Sequence, residues 1–148
     1  MNNLDFCWAE RKIKISANQQ PRKYLDFIID RKSLKDLLNR GNADLISPFG
    51  WAENKAYEKE ILREYRLQKP PELQTGRIMV YVCPECEDVG CGAITFAIKD
   101  LGDRIQWLDF GYENLFEEVE TISFPVLEFS RQQYFNALQV VQKSIDHH

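Results

Sequence analysis

The chain reads as an α+β protein, with a single mainly antiparallel sheet and helices packed on one face, forming one domain over residues 1–148. Two features carry this reading. Segments with strand character fall in two groups, two before a pair of helical stretches and four after it. The regular β-α alternation of a parallel, doubly wound sheet is therefore missing. Several strand candidates are also joined by short turns, as in hairpins and meanders. The length of 148 residues suits one domain.

The first strand candidate spans Phe6 to Ser16, where Ile13 and Ile15 alternate with Lys12, Lys14 and Ser16. Phe6 and Trp8 fall on the opposite parity, which places a bulge or break near Glu10. A turn at Asn18-Gln19-Gln20-Pro21 leads into Tyr24 to Asp30, with Leu25, Phe27 and Ile29 on one face. Together these make an antiparallel hairpin. Ser33 opens a short helix with a capping box completed by Asp36, and Gly41 is placed to end it. Ala52 to Leu67 is a second, charge-rich helix with a narrow stripe of Tyr57, Ile61 and Tyr65, stopped by Lys69-Pro70-Pro71.

Arg77 to Cys83 is apolar on both faces, as a central strand is. Ala93 to Lys99 follows, with Ile94, Phe96 and Ile98 inward. A tight turn at Asp100-Leu101-Gly102-Asp103 returns the chain as Arg104 to Phe110, with Ile105 and Trp107 on one face. Phe124 to Phe129 is a further strand, and Pro125 suggests an edge position. The last helix, Ser130 to Ile145, has a capping box in Ser130 and Gln133 and an apolar face of Tyr134, Leu138, Val141 and Ile145.

With 44% hydrophobic and 28% charged residues, the composition is globular. No apolar run reaches the roughly 18 residues of a membrane helix. Met1-Asn2-Asn3-Leu4-Asp5 has no basic head and no continuous apolar stretch, so a secretory signal is not expected. A cytoplasmic protein is the expectation.

The net charge of −4 hides an asymmetry. Residues 1–77 carry 15 basic and 11 acidic side chains, whereas residues 78–130 carry 2 basic and 11 acidic. Between Arg104 and Arg131 there is no basic residue, while Asp109, Glu113, Glu117, Glu118, Glu120 and Glu128 all occur there. Such a stretch attracts cationic partners and repels phosphate, which argues against direct nucleic-acid binding. A solvated face that keeps the protein soluble accounts for the same charges without a partner.

Cys83, Cys86 and Cys91 form a C-x2-C-x4-C turn between two predicted strands. Four cysteines in a chain for which no export signal is expected favour a reducing compartment. Three chemistries fit the turn. Zinc would take Cys83, Cys86 and Cys91, with Cys7, Asp88, His147 or His148 as fourth ligand, since structural zinc is four-coordinate. Thiol redox chemistry is a second, although Gly90 and Gly92 and a following strand replace the helix such sites use. Free thiols filling space under a Gly-rich turn are the third.

Three segments carry a family resemblance: Val80-Tyr81-Val82-Cys83-Pro84-Glu85-Cys86, Asp88-Val89-Gly90-Cys91-Gly92-Ala93 and Trp107-Leu108-Asp109-Phe110-Gly111-Tyr112-Glu113-Asn114. They are similar to a family of small uncharacterised bacterial proteins with a Y-V-C-P-E-C-G-D segment and a W-x-D-F-G-Y-E segment. Phe129-Ser130-Arg131-Gln132-Gln133-Tyr134 resembles the family's lead into a final helix. Glu87 departs from the pattern, which has glycine there. The resemblance implies a shared fold.

No Gly-rich phosphate loop is present, and the two histidines are His147 and His148 at the end of the chain. A nucleophile paired with a frayed tail is poorly held, so an enzyme is not expected. The remaining expectation is a binding protein of the toxin-immunity kind. Asp109, Glu113, Glu117, Glu118 and Glu120 would supply charge, and Phe110, Tyr112 and Phe116 aromatic anchors, to occupy the basic active-site cleft of a toxin such as a nuclease. The alternative is a zinc-stabilised protein or a thiol enzyme built on Cys83, Cys86 and Cys91.

Overall fold

The computed structural model describes residues 1–11, 23–41, 43–51, 54–84, 92–114 and 117–147. In chain order the elements are β1 (Leu4–Glu10), β2 (Lys23–Ile29), β3 (Lys32–Ser33), α1 (Leu34–Leu37), α2 (Lys55–Tyr65), β4 (Ile78–Val82), β5 (Ala93–Asp100), β6 (Arg104–Glu113), β7 (Glu120–Thr121), β8 (Leu127–Ser130) and α3 (Arg131–Asp146). Among the described residues every strand pairing is antiparallel, and the fold is α+β as expected. The strands divide between two sheets. Among the described residues the main one has five strands in the order β4-β5-β6-β7, with β8 also on β6, and the smaller one is β1-β2-β3.

The smaller sheet is completed by the turn after β2. Asp30 and Arg31 take left-handed φ of 51° and 71°, a two-residue hairpin turn that folds β3 straight back onto β2. Strand β1 pairs along one side of β2, β3 pairs on the other at Ile28 and Ile29, and nearer the start of the strand the Leu25 amide donates to the Phe49 carbonyl at 2.9 Å. The first hairpin itself runs in register from Leu4↔Ile29 to Glu10↔Lys23. Strand β1 stops at Glu10, where the change of parity placed a break. The expected continuation through Ile13 and Ile15 and the turn at 18–21 lie outside the described residues.

The helix boundaries show how tertiary contacts override local signals. Ser33 precedes α1 but makes no side-chain cap; its hydroxyl donates to Asp26 at 2.6 Å instead. Asn39, with φ 59°, takes the left-handed turn after α1 that Gly41 was expected to supply. Helix α2 is capped by Asn54, which accepts from the Tyr57 amide at 3.1 Å. It ends at Tyr65, ahead of the prolines. Ser130 caps α3 by accepting from the Gln133 amide at 3.2 Å. The Gln133 side chain does not complete the box. Its amide clasps the Leu4 backbone, accepting from N–H at 2.9 Å and donating to C=O at 2.5 Å.

Strand β4 lies at the end of the main sheet, not at its centre. It is apolar on both faces because both are covered, and Ile46 bridges its outer edge at Val82. Strand β8 holds an edge, as Pro125 suggested. An aromatic cluster lies within a core of Leu, Ile and Val side chains. Trp107 stacks on Phe96 with centroids 4.4 Å apart, and Phe27, Tyr65, Phe129 and Tyr134 surround it. Phe27 belongs to the smaller sheet, so this cluster joins the two sheets to α2 and α3. Each such buried ring contributes about 1.5–3 kcal/mol.

Candidate functional site

The acidic segment is shaped by an irregularity in β6. Thr95 pairs with Gly111 and Ala97 with Leu108, so Asp109 and Phe110 together oppose Phe96. This is a β-bulge, with Asp109 at a left-handed φ of 55°. The bulge turns Phe110 into the core, where it is 1% exposed and packs on Phe96 and Phe124. It leaves the Asp109 side chain exposed.

Arg77 holds the bulge from below. Its guanidinium donates to the carbonyls of Asp109 and Thr95, and Nε donates to Thr95 Oγ1 at 2.9 Å. The same Nε lies 3.4 Å from Glu113 Oε1. Glu113 is 4% exposed and also accepts from Thr95 at 2.6 Å and from Thr75. Phe110 and Glu113 are therefore interior groups and cannot serve as contact residues. Nothing in their sequence neighbourhood marks them as buried. Their burial comes from the bulge and from Arg77, which lies across the sheet.

Tyr112 is half-buried. Its hydroxyl stands 1.8 Å from where a Cβ on Gly92 would be, and Gly92 has φ 98°. Tyr112 thus roofs the start of β5. Gly111 plays a parallel part: a Cβ there would lie 2.6 Å from Val119 Cγ1 and 3.0 Å from the Glu120 carbonyl. The absent side chain lets residues 119–121 press onto β6, where Tyr112 pairs with Glu120 and Gly111 with Thr121. The Glu117 amide donates to Asn114 Oδ1 at 3.0 Å, which ties down the start of this segment.

Asp109, Glu117, Glu118 and Glu120 are exposed, and the pairing of β6 with β7 brings them to one border of the main sheet. No ion pair joins any of them to another described residue. Phe116 lies outside the described residues. Glu128 is separate, held by Arg104 at 2.9 Å and Gln106 at 2.7 Å.

Cys83 and Gly92, which flank the predicted cysteine turn, lie at the same end of the sheet. Val82 pairs with Ala93, which places Cys83 and Gly92 just beyond the paired ends of β4 and β5. Cys83 is half-buried and Cys7 is exposed on β1; both are free thiols. Cys86, Asp88, Cys91 and His148 lie outside the described residues. Among the described residues no group of three His, Cys, Asp or Glu side chains could hold a metal. An open polar cleft lined by Asp36, Asn39, Arg40, Gly41 and Ala43 lies beside the end of α1 and involves neither feature.

A buried polar group elsewhere escaped the sequence reading. Asp26 is 6% exposed and accepts from Tyr81 and Ser33, each at 2.6 Å. The Leu25, Phe27, Ile29 alternation puts Asp26 on the opposite, nominally exposed face, so nothing local marked its burial; both faces of β2 are covered. No helix among the described residues is long and apolar enough to cross a membrane. Comparison with family models, curated proteins and solved structures finds no match to the chain.

Proposed function

We propose that this chain is a small binding protein of the toxin-immunity kind, and that its acidic β6–β7 border occupies the basic active-site cleft of a protein toxin. One observation carries the reading. Four carboxylates on that border are exposed and make no ion pair among the described residues, while the nearby Arg77 is turned inward onto Glu113 and Asp109. The border therefore keeps its negative field instead of neutralising it. A nuclease cleft is built to hold phosphates, so a row of carboxylates fits the same positive potential. Tyr112 lies at this border and supplies the aromatic contact area.

The expected partner is a basic secreted effector encoded beside this chain. The test is titration of that effector's activity with the wild-type protein and with the E117K/E118K/E120K variant. Wild type inhibits and the triple reversal does not, with both equally folded by circular dichroism. Undiminished inhibition by the triple reversal overturns the proposal.

A second reading, zinc held by Cys83, Cys86 and Cys91, draws support from the Val82↔Ala93 pairing, which places Cys83 just beyond the paired ends of β4 and β5. Elemental analysis of protein purified without a metal-affinity tag decides it. About one zinc per chain, with unfolding on chelation, supports it. Metal-free protein whose stability does not respond to chelator removes it.

A further inference from the structure

The two sheets meet at a buried polar joint. Asp26 lies on β2 of the smaller sheet and Tyr81 on β4 of the main one. The Tyr81 hydroxyl donates to Asp26 Oδ1 at 2.6 Å, and the Ser33 hydroxyl to Oδ2 at 2.6 Å. The Phe27 amide also serves the Asp26 carboxylate, and the Lys35 amide serves the Tyr81 oxygen. Tyr81 is 0% exposed, whereas Ser33 is half-buried.

The charged and titratable groups around Asp26 come from four elements. Tyr24 shares its strand and is pushed up to about 12, by burial first and then by Asp26 and Asp36. Helix α1 contributes Lys35, whose charge favours the ionised carboxylate, and Asp36. Strand β4 contributes Tyr81, and β1 places Cys7 in register opposite Asp26. Burial is the largest influence, and it raises Asp26 above its ordinary 3.8 in spite of its donors and Lys35.

We propose that this cluster is a proton-linked joint between the two sheets, in which Asp26 takes up a proton while the fold stays intact and the Ser33 hydroxyl turns round to receive it. The hydrogen-bond inventory dictates which hydroxyl turns. A neutral carboxyl must donate its new O–H. The Tyr81 oxygen is already engaged by the Lys35 amide and is sealed, so its hydroxyl keeps donating to Oδ1. The proton therefore lands on Oδ2 and is donated to Ser33 Oγ. The Ser33 hydrogen swings away toward solvent, which its partial exposure allows. The Asp26–Tyr81 bond between the sheets survives in both states.

The test is a pH titration of the Asp26 carboxyl carbon resonance in the full chain, in wild type and Y81F, with urea midpoints of wild type and D26N at pH 7.5 and 5. Asp26 is expected to titrate above 3.8 in the folded protein. Y81F, having lost a donor to the carboxylate, titrates higher still. The wild-type midpoint rises relative to D26N on acidification, because the folded state binds this proton more tightly than the unfolded chain. Glu64, raised in the same pH range, is present in both proteins and cancels from that difference. A carboxyl that titrates at or below 3.8, or is unmoved by Y81F, overturns the proposal. Should D26N fail to fold, the two resonance titrations decide alone.

Discussion

The guanidinium of Arg77 lies 3.4 Å from the carboxylate of Glu113, with the two side chains only 14% and 5% exposed. The pair links the approach to β4 with the end of β6 and fixes the bulge that exposes Asp109. Removing one member leaves the other charge buried without its partner, which costs about 3–5 kcal/mol. E113A is expected to lower stability by that amount in urea denaturation. The double variant R77M/E113L should lose much less. Equal losses would show that the pair does not act as a unit.

Glycine at 92 is required twice over, by φ of 98° and by the Tyr112 hydroxyl 1.8 Å from a Cβ position. G92A should cost about 1–3 kcal/mol. Combining it with Y112A should recover part of that loss, because the clash is removed while the backbone strain remains. Thermal unfolding of the two single variants and the double variant reads this directly.

Glu64 is 5% exposed on α2, and burial pushes it up to about 7 from 4.5, against the pull of Lys69. The folded state therefore holds the Glu64 proton more tightly than the unfolded chain does. The resulting stability is fully present below pH 4.5 and is lost as pH rises through about 7. E64Q, which stays neutral, should be more stable than wild type by about 1–3 kcal/mol at pH 8, and the gap should close near pH 4.5. Urea midpoints of both proteins across this range check it.

The Gln133 amide makes two hydrogen bonds to the Leu4 backbone and ties α3 to β1. Q133A should cost about 1–3 kcal/mol, because the part-buried Leu4 amide and carbonyl lose their partners. Hydrogen exchange at the Leu4 amide should accelerate along with it.

Much of this architecture is legible in the chain because it is local. Alternation located β2, β5 and β6, and 3.6-residue periodicity located α3, whose Tyr134, Leu138, Val141 and Ile145 are all buried. What escaped depends on partners far away in sequence. Ser33 satisfies Asp26 in place of capping α1, Gln133 satisfies Leu4 in place of closing a capping box, and β1-β2-β3 forms a sheet of its own. The acidic border shows the same split. Exposure of Glu117, Glu118 and Glu120 followed from their density, but the burial of Glu113 and Phe110 follows from a bulge locked by a residue more than thirty positions earlier. No pattern within residues 109–120 encodes that lock.

The salt dependence of the association rate with the proposed basic effector tests the central claim most directly. Charge-steered encounter predicts a rate that falls steeply as ionic strength rises, and a drop of about tenfold or more at low salt for E117K/E118K/E120K. A rate that is indifferent to both salt and the triple reversal would contradict the assignment of this border as the binding surface.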